Sequence, residues 1–374
     1  MRFAIRLSSI LVFLLLRGAF AQTPPEDNQS LADIAREARE RKRLNPSDES
    51  THSAVVRELI AGMNEGRSIN DPVEYGRQLA ELLTRRDFDG LEHEADMARS
   101  SKSRFPGGPW KLYDFYDTLG QPSRGSKASD ADWSAHLALL KEWVSGQHQS
   151  STARIALAQA YLNYGGKARG GGYANTVTAE GWQLYGDRAD LALASLKEAA
   201  ALPVKCPFWY FAMLRVAMAQ AWSRPQAKAL LDGLISFEPS FYHFYRQFAI
   251  YLQPKWYGEE GEAEAFADSI SQTLGGEEGA FVYFEIVTAL NCGPCSNAST
   301  LANFSWPKIK QGYAALENLY GTSKLKMNRF AFLAVNVQDK ASAKQVFALI
   351  GDDWDPEVWR NQEMFKAAKV WAMN

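Results

Sequence analysis

Several things are scarce in this 374-residue chain, and each scarcity removes a class of function. It holds three cysteines, Cys206, Cys292 and Cys295, and five scattered histidines, His52, His93, His136, His148 and His243. No His-Glu-x-x-His occurs, so the helix-borne zinc-hydrolase pattern is missing. Glu92-His93-Glu94-x-Asp96 groups four possible ligands, but neighbours on a helix point in different directions, so it reads as a solvated face. Neither a metal nor another cofactor is therefore expected. A Gly-x-Ser-x-Gly nucleophile elbow is absent. With 41 basic against 43 acidic residues there is no excess of positive charge for a nucleic-acid partner. Runs of alternating β-branched residues are nearly absent, which argues against sheets. No apolar run reaches the roughly 20 residues of a membrane-spanning helix.

What is present begins with an export pattern. Arg2 and Arg6 precede the apolar stretch Leu7–Leu16, and Ala19-Phe20-Ala21 offers small residues at a signal-peptidase site. The expectation is a signal peptide over 1–21, cleaved after Ala21, and a periplasmic or secreted location. Arg17 sits awkwardly before the site and leaves an uncleaved anchor as the alternative. Residues 22–50 read as a polar linker. Within it Leu31, Ile34, Ala35 and Ala38 recur at helical spacing among Arg36, Arg39, Arg41, Lys42 and Arg43, so 31–43 is a candidate contact with a membrane surface or an acidic partner.

Beyond residue 50 the pattern is helix after helix. Stripes at Trp133, Leu137, Leu140 and Trp143, at Ile155, Ala158 and Leu162, at Trp182, Tyr185, Ala189, Leu193 and Leu196, and at Phe330, Leu333, Ala334 and Val337 follow the spacing of a buried helix face. Segments 209–211 and 281–284 are aromatic-rich and ambiguous alone, but run into alanine- and leucine-bearing stretches and are read as helical. Two segments resemble each other. Ala227 to Ile235 leads to Glu238-Pro239 and the pair Phe241-Tyr242, and Ala343 to Ile350 leads to Asp355-Pro356 and Trp359. Each follows another amphipathic helix, at 208–221 and 326–338. A helix, a turn, a second helix with a small residue for close approach, and an acid–Pro stop resemble tetratricopeptide repeats. The expected fold is all-α, a tetratricopeptide-like helical repeat array (an α-α superhelix), with a helical domain over 51–290 and a repeat extension over 291–374.

Three strings carry a family resemblance. Asp87-Phe88-Asp89-Gly90-Leu91 precedes the run from Arg104-Phe105-Pro106-Gly107-Gly108-Pro109-Trp110 to Tyr116. Ala168-Arg169-Gly170-Gly171-Gly172-Tyr173 runs on to Val177, followed by Trp182. The third is Leu252-x-Pro254-x-Trp256. Together they resemble the bacterial family called domain of unknown function 4034, over roughly residues 75–290. The resemblance implies a helical, repeat-like domain and assigns no activity.

Two local chemistries stand out. Arg169, followed by three glycines, Tyr173 and Asn175, would suit an anion held by a guanidinium and exposed backbone N–H groups. The pattern is neither a P-loop nor a dinucleotide fingerprint, and the plainer alternative is a helix C-cap and loop. Arg169, Gly170, Gly172, Tyr173 and Asn175, with Tyr164 and Trp182 nearby, form the candidate ligand site. Cys292-Gly293-Pro294-Cys295 is spelled like a thiol-exchange centre but lacks the strand before it, so a Cys292–Cys295 disulfide is expected in an oxidising compartment, with a bridge from Cys206 left open. The leading functional expectation is a non-catalytic binding module for a protein or peptide partner in the cell envelope. The alternatives are an all-α enzyme acting on glycans or peptides, whose carboxylate pair would be assembled in space, and a thiol oxidoreductase.

Overall fold

The computed structural model describes residues 70–291 and 301–374. Among these the chain forms fifteen α-helices, two short 3-10 turns and no strand. The all-α expectation holds. None of these helices is long and apolar enough to cross a membrane.

The helices, in order, are α1 (Pro72–Thr84), α2 (Phe88–Ser101), α3 (Lys111–Leu119), α4 (Asp130–Gly146), α5 (Ser151–Arg169), α6 (Ala179–Ala201), α7 (Pro207–Ala219), α8 (Arg224–Phe237), α9 (His243–Tyr251), α10 (Glu262–Leu274), α11 (Gly276–Asn291), α12 (Trp306–Tyr320), α13 (Lys324–Asn336), α14 (Lys340–Ile350) and α15 (Gln362–Met373). Their starts follow from local chemistry. Ser129 and Asp132 close a capping box on α4, Ser150 caps α5 through the Ala153 N–H, and α7 carries Pro207 in its first turn.

Packing sorts them into two sets. The odd-numbered helices α1 to α11 touch in sequence, each against the next odd one, while α2, α4, α6, α8, α10 and α12 pack against odd members of that row. Short loops make successive helices antiparallel neighbours. Segments 209–211 and 281–284 lie inside α7 and α11, both in the odd row. Ala227 and Ala343 of the two similar segments are fully buried, as their small side chains require for close helix approach.

The residues from Ile69 to Asn374 cluster as one compact unit. A loop near its start explains part of the cohesion. Between α2 and α3, the Gly107 N–H donates to the Gly321 carbonyl at 3.2 Å, beyond the end of α12. Gly107 and Gly108 have φ of 85° and 94°, and a Cβ on Gly108 would lie 2.8 Å from the Phe281 ring. Glycine is required there both for its backbone angle and for its lack of a side chain. Beside it the Arg104 guanidinium lies 4.4 Å from the Tyr320 ring and 4.9 Å from Trp110, and donates to the Ser240 carbonyl at 3.0 Å. The Arg104–Trp110 string is thus a fastening between the first helices and the later ones.

Candidate functional site

Arg169 is the last residue of α5, and Gly170 caps the helix. The guanidinium donates through Nη1 to the carbonyls of Gly170 (3.0 Å) and Gly172 (3.3 Å). It also lies 5.2 Å from the Trp182 ring and 5.0 Å from the Trp256 ring. Two of the three family-like strings therefore meet here. The loop presents carbonyls to the guanidinium, so one face of the arginine is committed to holding the loop. Tyr173 and Asn175 project into solvent, and Tyr164 packs elsewhere, stacked on Trp133 at 4.9 Å under the Arg188 guanidinium. The structure brings Arg169, Gly170, Gly172 and Trp182 together and leaves Tyr164, Tyr173 and Asn175 outside that contact.

The cysteine pair Cys292 and Cys295, like segments 1–21 and 31–43, lies outside the described residues. Cys206 is buried, forms no disulfide among the described residues, and lies 3.6 Å from the Tyr116 hydroxyl. Glu92 turns inward to accept from Trp143 Nε1 at 3.0 Å, while His93 and Asp96 are exposed. No group of three or more possible metal ligands gathers among the described residues.

A second constellation is carried by the odd helices, and sequence spacing alone does not reveal it. Its centre is α3, where Asp117 neighbours Asp114 at i+3 and Tyr113 at i+4. The Tyr113 ring stacks on His243 of α9 at 3.8 Å, and His243 stacks in turn on Tyr242 at 4.1 Å. His243 Nε2 accepts the Trp110 N–H at 3.2 Å, which places the ring proton on Nδ1. Burial, with Arg246, Lys326 and Arg104 nearby, holds this imidazole well below its usual pKa, so it is neutral. From α7, Arg215 Nη1 donates to Gln159 Oε1 and Asn163 Oδ1 of α5, each at 2.9 Å. From α11, the fully buried Glu285 pairs with Lys326 of α13 and lies 3.7 Å from Arg246 of α9. Burial works against the Glu285 charge, but the cations Lys326 and Arg246 outweigh it and hold the carboxyl below its usual range.

Asp114 and Asp117 differ from the rest. Both are partly open to solvent, and neither has a hydrogen bond or ion pair within the described residues. Burial, reinforced by the charge of Asp117, pushes the Asp114 carboxyl up to about 7 against the pull of Lys326. Burial also raises Asp117, opposed by Arg215. The pair thus ionises unequally, Asp117 first and Asp114 near neutrality.

This carries a stability prediction. The folded Asp114 binds its proton more tightly than the unfolded residue, whose reference value is 3.8. The favourable contribution is complete below that value and is lost as pH rises through about 7. A rise of this size corresponds to at most ~4 kcal/mol, and partial solvent access reduces it to about 2 kcal/mol. Asp114→Asn is therefore expected to be the more stable form at pH 8 by about that amount, with the gain vanishing by pH 4; urea unfolding at both pH values checks it. An unchanged difference across the range removes Asp114 as the titrating group.

The sequence does hold one clue to this constellation. Arg215 is the only charged residue in the thirteen of α7, and Glu285 is the only one in α11 after its acidic first turn. A lone charge in an apolar helix implies a buried partner from another element. Which partner it meets is decided by packing.

No protein-family model matches this chain, and neither a curated protein nor a solved structure matches it significantly.

Proposed function

We propose that the chain is a tetratricopeptide-like binding module of the cell envelope that receives its ligand along the row of odd-numbered helices. One observation carries this reading: α3, α5, α7, α9, α11 and α13 each contribute polar side chains to one connected tract, in which Asp114 and Asp117 have no partner among the described residues. Stacked helix pairs that turn one helix of each pair inward form a continuous concave surface, and polar groups on it are available to a ligand. The export pattern supplies the compartment in this proposal, with Gln22 the first residue of the released protein.

A photo-crosslinking residue placed at Asp117 is expected to trap a ligand in the intact cell envelope. The same residue at Glu198 or Asp232, both exposed on even-numbered helices, is expected to trap none. Equal labelling from both sets of positions overturns the proposal. Mass spectrometry of the native protein reads its first residue in the same preparation.

A second reading, an enzyme acting on glycans or peptides, is favoured by the Asp114–Asp117 pair. A carboxyl that keeps its proton to about 7 beside one that ionises earlier divides acid and base roles. New reducing ends or new amino termini, lost in Asp114→Asn, would establish it. The thiol-exchange reading rests on Cys292 and Cys295, which lie outside the described residues.

A further inference from the structure

We propose that the recess around Asp114 and Asp117 binds a neutral, hydroxyl-rich carbohydrate, one sugar ring of which hydrogen-bonds to the two carboxyls. This rests on the binding-module reading and names the chemistry of its ligand. Three observations lead to it.

The first is a surplus of unmatched hydrogen-bonding groups. Asp114 and Asp117 have no donors within the described residues. The Tyr242 hydroxyl is fully buried and has no hydrogen-bond partner among the described residues, although it lies in the electrostatic neighbourhood of Asp114, Glu285, Arg246 and Arg104. Buried polar groups in folded proteins are nearly always satisfied, so an unmatched hydroxyl in the neighbourhood of the unmatched Asp114 carboxyl points to a hydrogen-bonding ligand.

The second is charge. The tract sets three acids, Asp114, Asp117 and Glu285, against three bases, Arg215, Arg246 and Lys326. The flanking cations have their own partners: Arg104 is packed against aromatic rings and the Ser240 carbonyl, and Arg329 lies 4.0 Å from Glu357. A formally balanced recess gains nothing from a net charge on its ligand. A polyol suits it, because each hydroxyl can donate to a carboxylate and accept from a guanidinium or phenol.

The third argues against an extended peptide. The side-chain amide oxygens of α5 suited to gripping a peptide main chain are already engaged. Gln159 Oε1 and Asn163 Oδ1 receive Arg215, and Asn163 Nδ2 donates to the Gly120 carbonyl at 2.9 Å. Tyr113 is half-buried on the same helix, and the part of its ring not stacked on His243 offers apolar surface on which a sugar's C–H face packs.

The test uses the full chain released from its native export. Cellotetraose, chitotetraose, maltotetraose and a lysine-containing tetrapeptide are each titrated by calorimetry. At least one oligosaccharide is expected to bind, with affinity falling about tenfold to a hundredfold in Asp117→Leu and less in Asp117→Asn, whose amide still hydrogen-bonds. Matching circular dichroism spectra and thermal midpoints show that the variants fold. Binding of none of the oligosaccharides overturns the inference, as does sugar binding that Asp117→Leu leaves unchanged. Binding of the tetrapeptide alone, lost in Asp117→Leu, also overturns the carbohydrate assignment but leaves the binding-module reading standing; that reading falls separately if crosslinking does not favour the odd-numbered helices.

Discussion

Glu285→Leu is expected to cost about 3–5 kcal/mol, a large part of the 5–15 kcal/mol typical of a folded domain. Glu285 is fully buried and stands against two cations, Lys326 beside it and Arg246 at 3.7 Å. Removing the carboxylate leaves both cations facing an apolar side chain. Lys326, itself buried and drawn down by desolvation, loses the charge that opposes that shift. Lys326→Met is expected to cost less, because the remaining carboxylate keeps Arg246. The double variant Glu285→Leu/Lys326→Met is expected to recover most of the loss, to within about 1–2 kcal/mol of the parent, since an apolar pair of similar volume carries no desolvation penalty. Urea unfolding of all four proteins closes the double-mutant cycle. If the double variant is as damaged as Glu285→Leu, the loss comes from packing and not from a stranded charge.

The second large effect is expected at Gly312 in α12. A glycine inside a helix costs about 0.5–1 kcal/mol relative to alanine, so its presence needs a reason. Here a Cβ would run into the Ala280 carbonyl oxygen of α11 and would lie 2.7 Å from the Phe284 Cβ. The two helix backbones meet at this residue. Gly312→Leu is expected to cost about 3 kcal/mol or more by forcing α11 and α12 apart. The displacement would also move Glu285, one position beyond Phe284, so the ion pair with Lys326 should weaken too. Gly186 in α6 has nothing within 4 Å of a Cβ, and Gly186→Ala is expected to stabilise by about 0.5–1 kcal/mol. Equal responses at the two glycines in thermal unfolding would show that helix propensity, and not close approach, governs Gly312.

Much of the secondary structure is legible in the sequence because helical periodicity is local. Leu140 and Trp143, Ile155 and Ala158, and Leu333 and Ala334 are all buried where their spacing puts them. The aromatic segments 209–211 and 281–284 resolve correctly from their flanks. The stripe beginning at Trp182 is less faithful: Ala189 and Leu196 are buried, but Trp182 is drawn aside to the Arg169 guanidinium and stays 39 % exposed. The glycine-rich string after Arg169 is visible as unusual chemistry, yet nothing in it shows that Trp256, nearly ninety positions later, completes the contact. Asp114 and Asp117 are harder still to find. In the sequence they sit among aromatic residues and resemble the solvated carboxylates of any amphipathic helix.

By itself, the sequence determined the helical class, the residues that face the core, and the presence of lone charges at Arg215 and Glu285 that demand partners. These follow from spacing along one chain, where 3.6 residues per turn fixes which side chains share a face. Only the tertiary structure decided that Glu285 meets Lys326 and Arg246, that His243 lies between Tyr113 and Tyr242, and that Asp114 and Asp117 meet no partner among the described residues. Those outcomes depend on which faces of α3, α9, α11 and α13 turn towards one another. That choice is made by the packing of all the helices together, and the charge environment of each carboxyl follows from it.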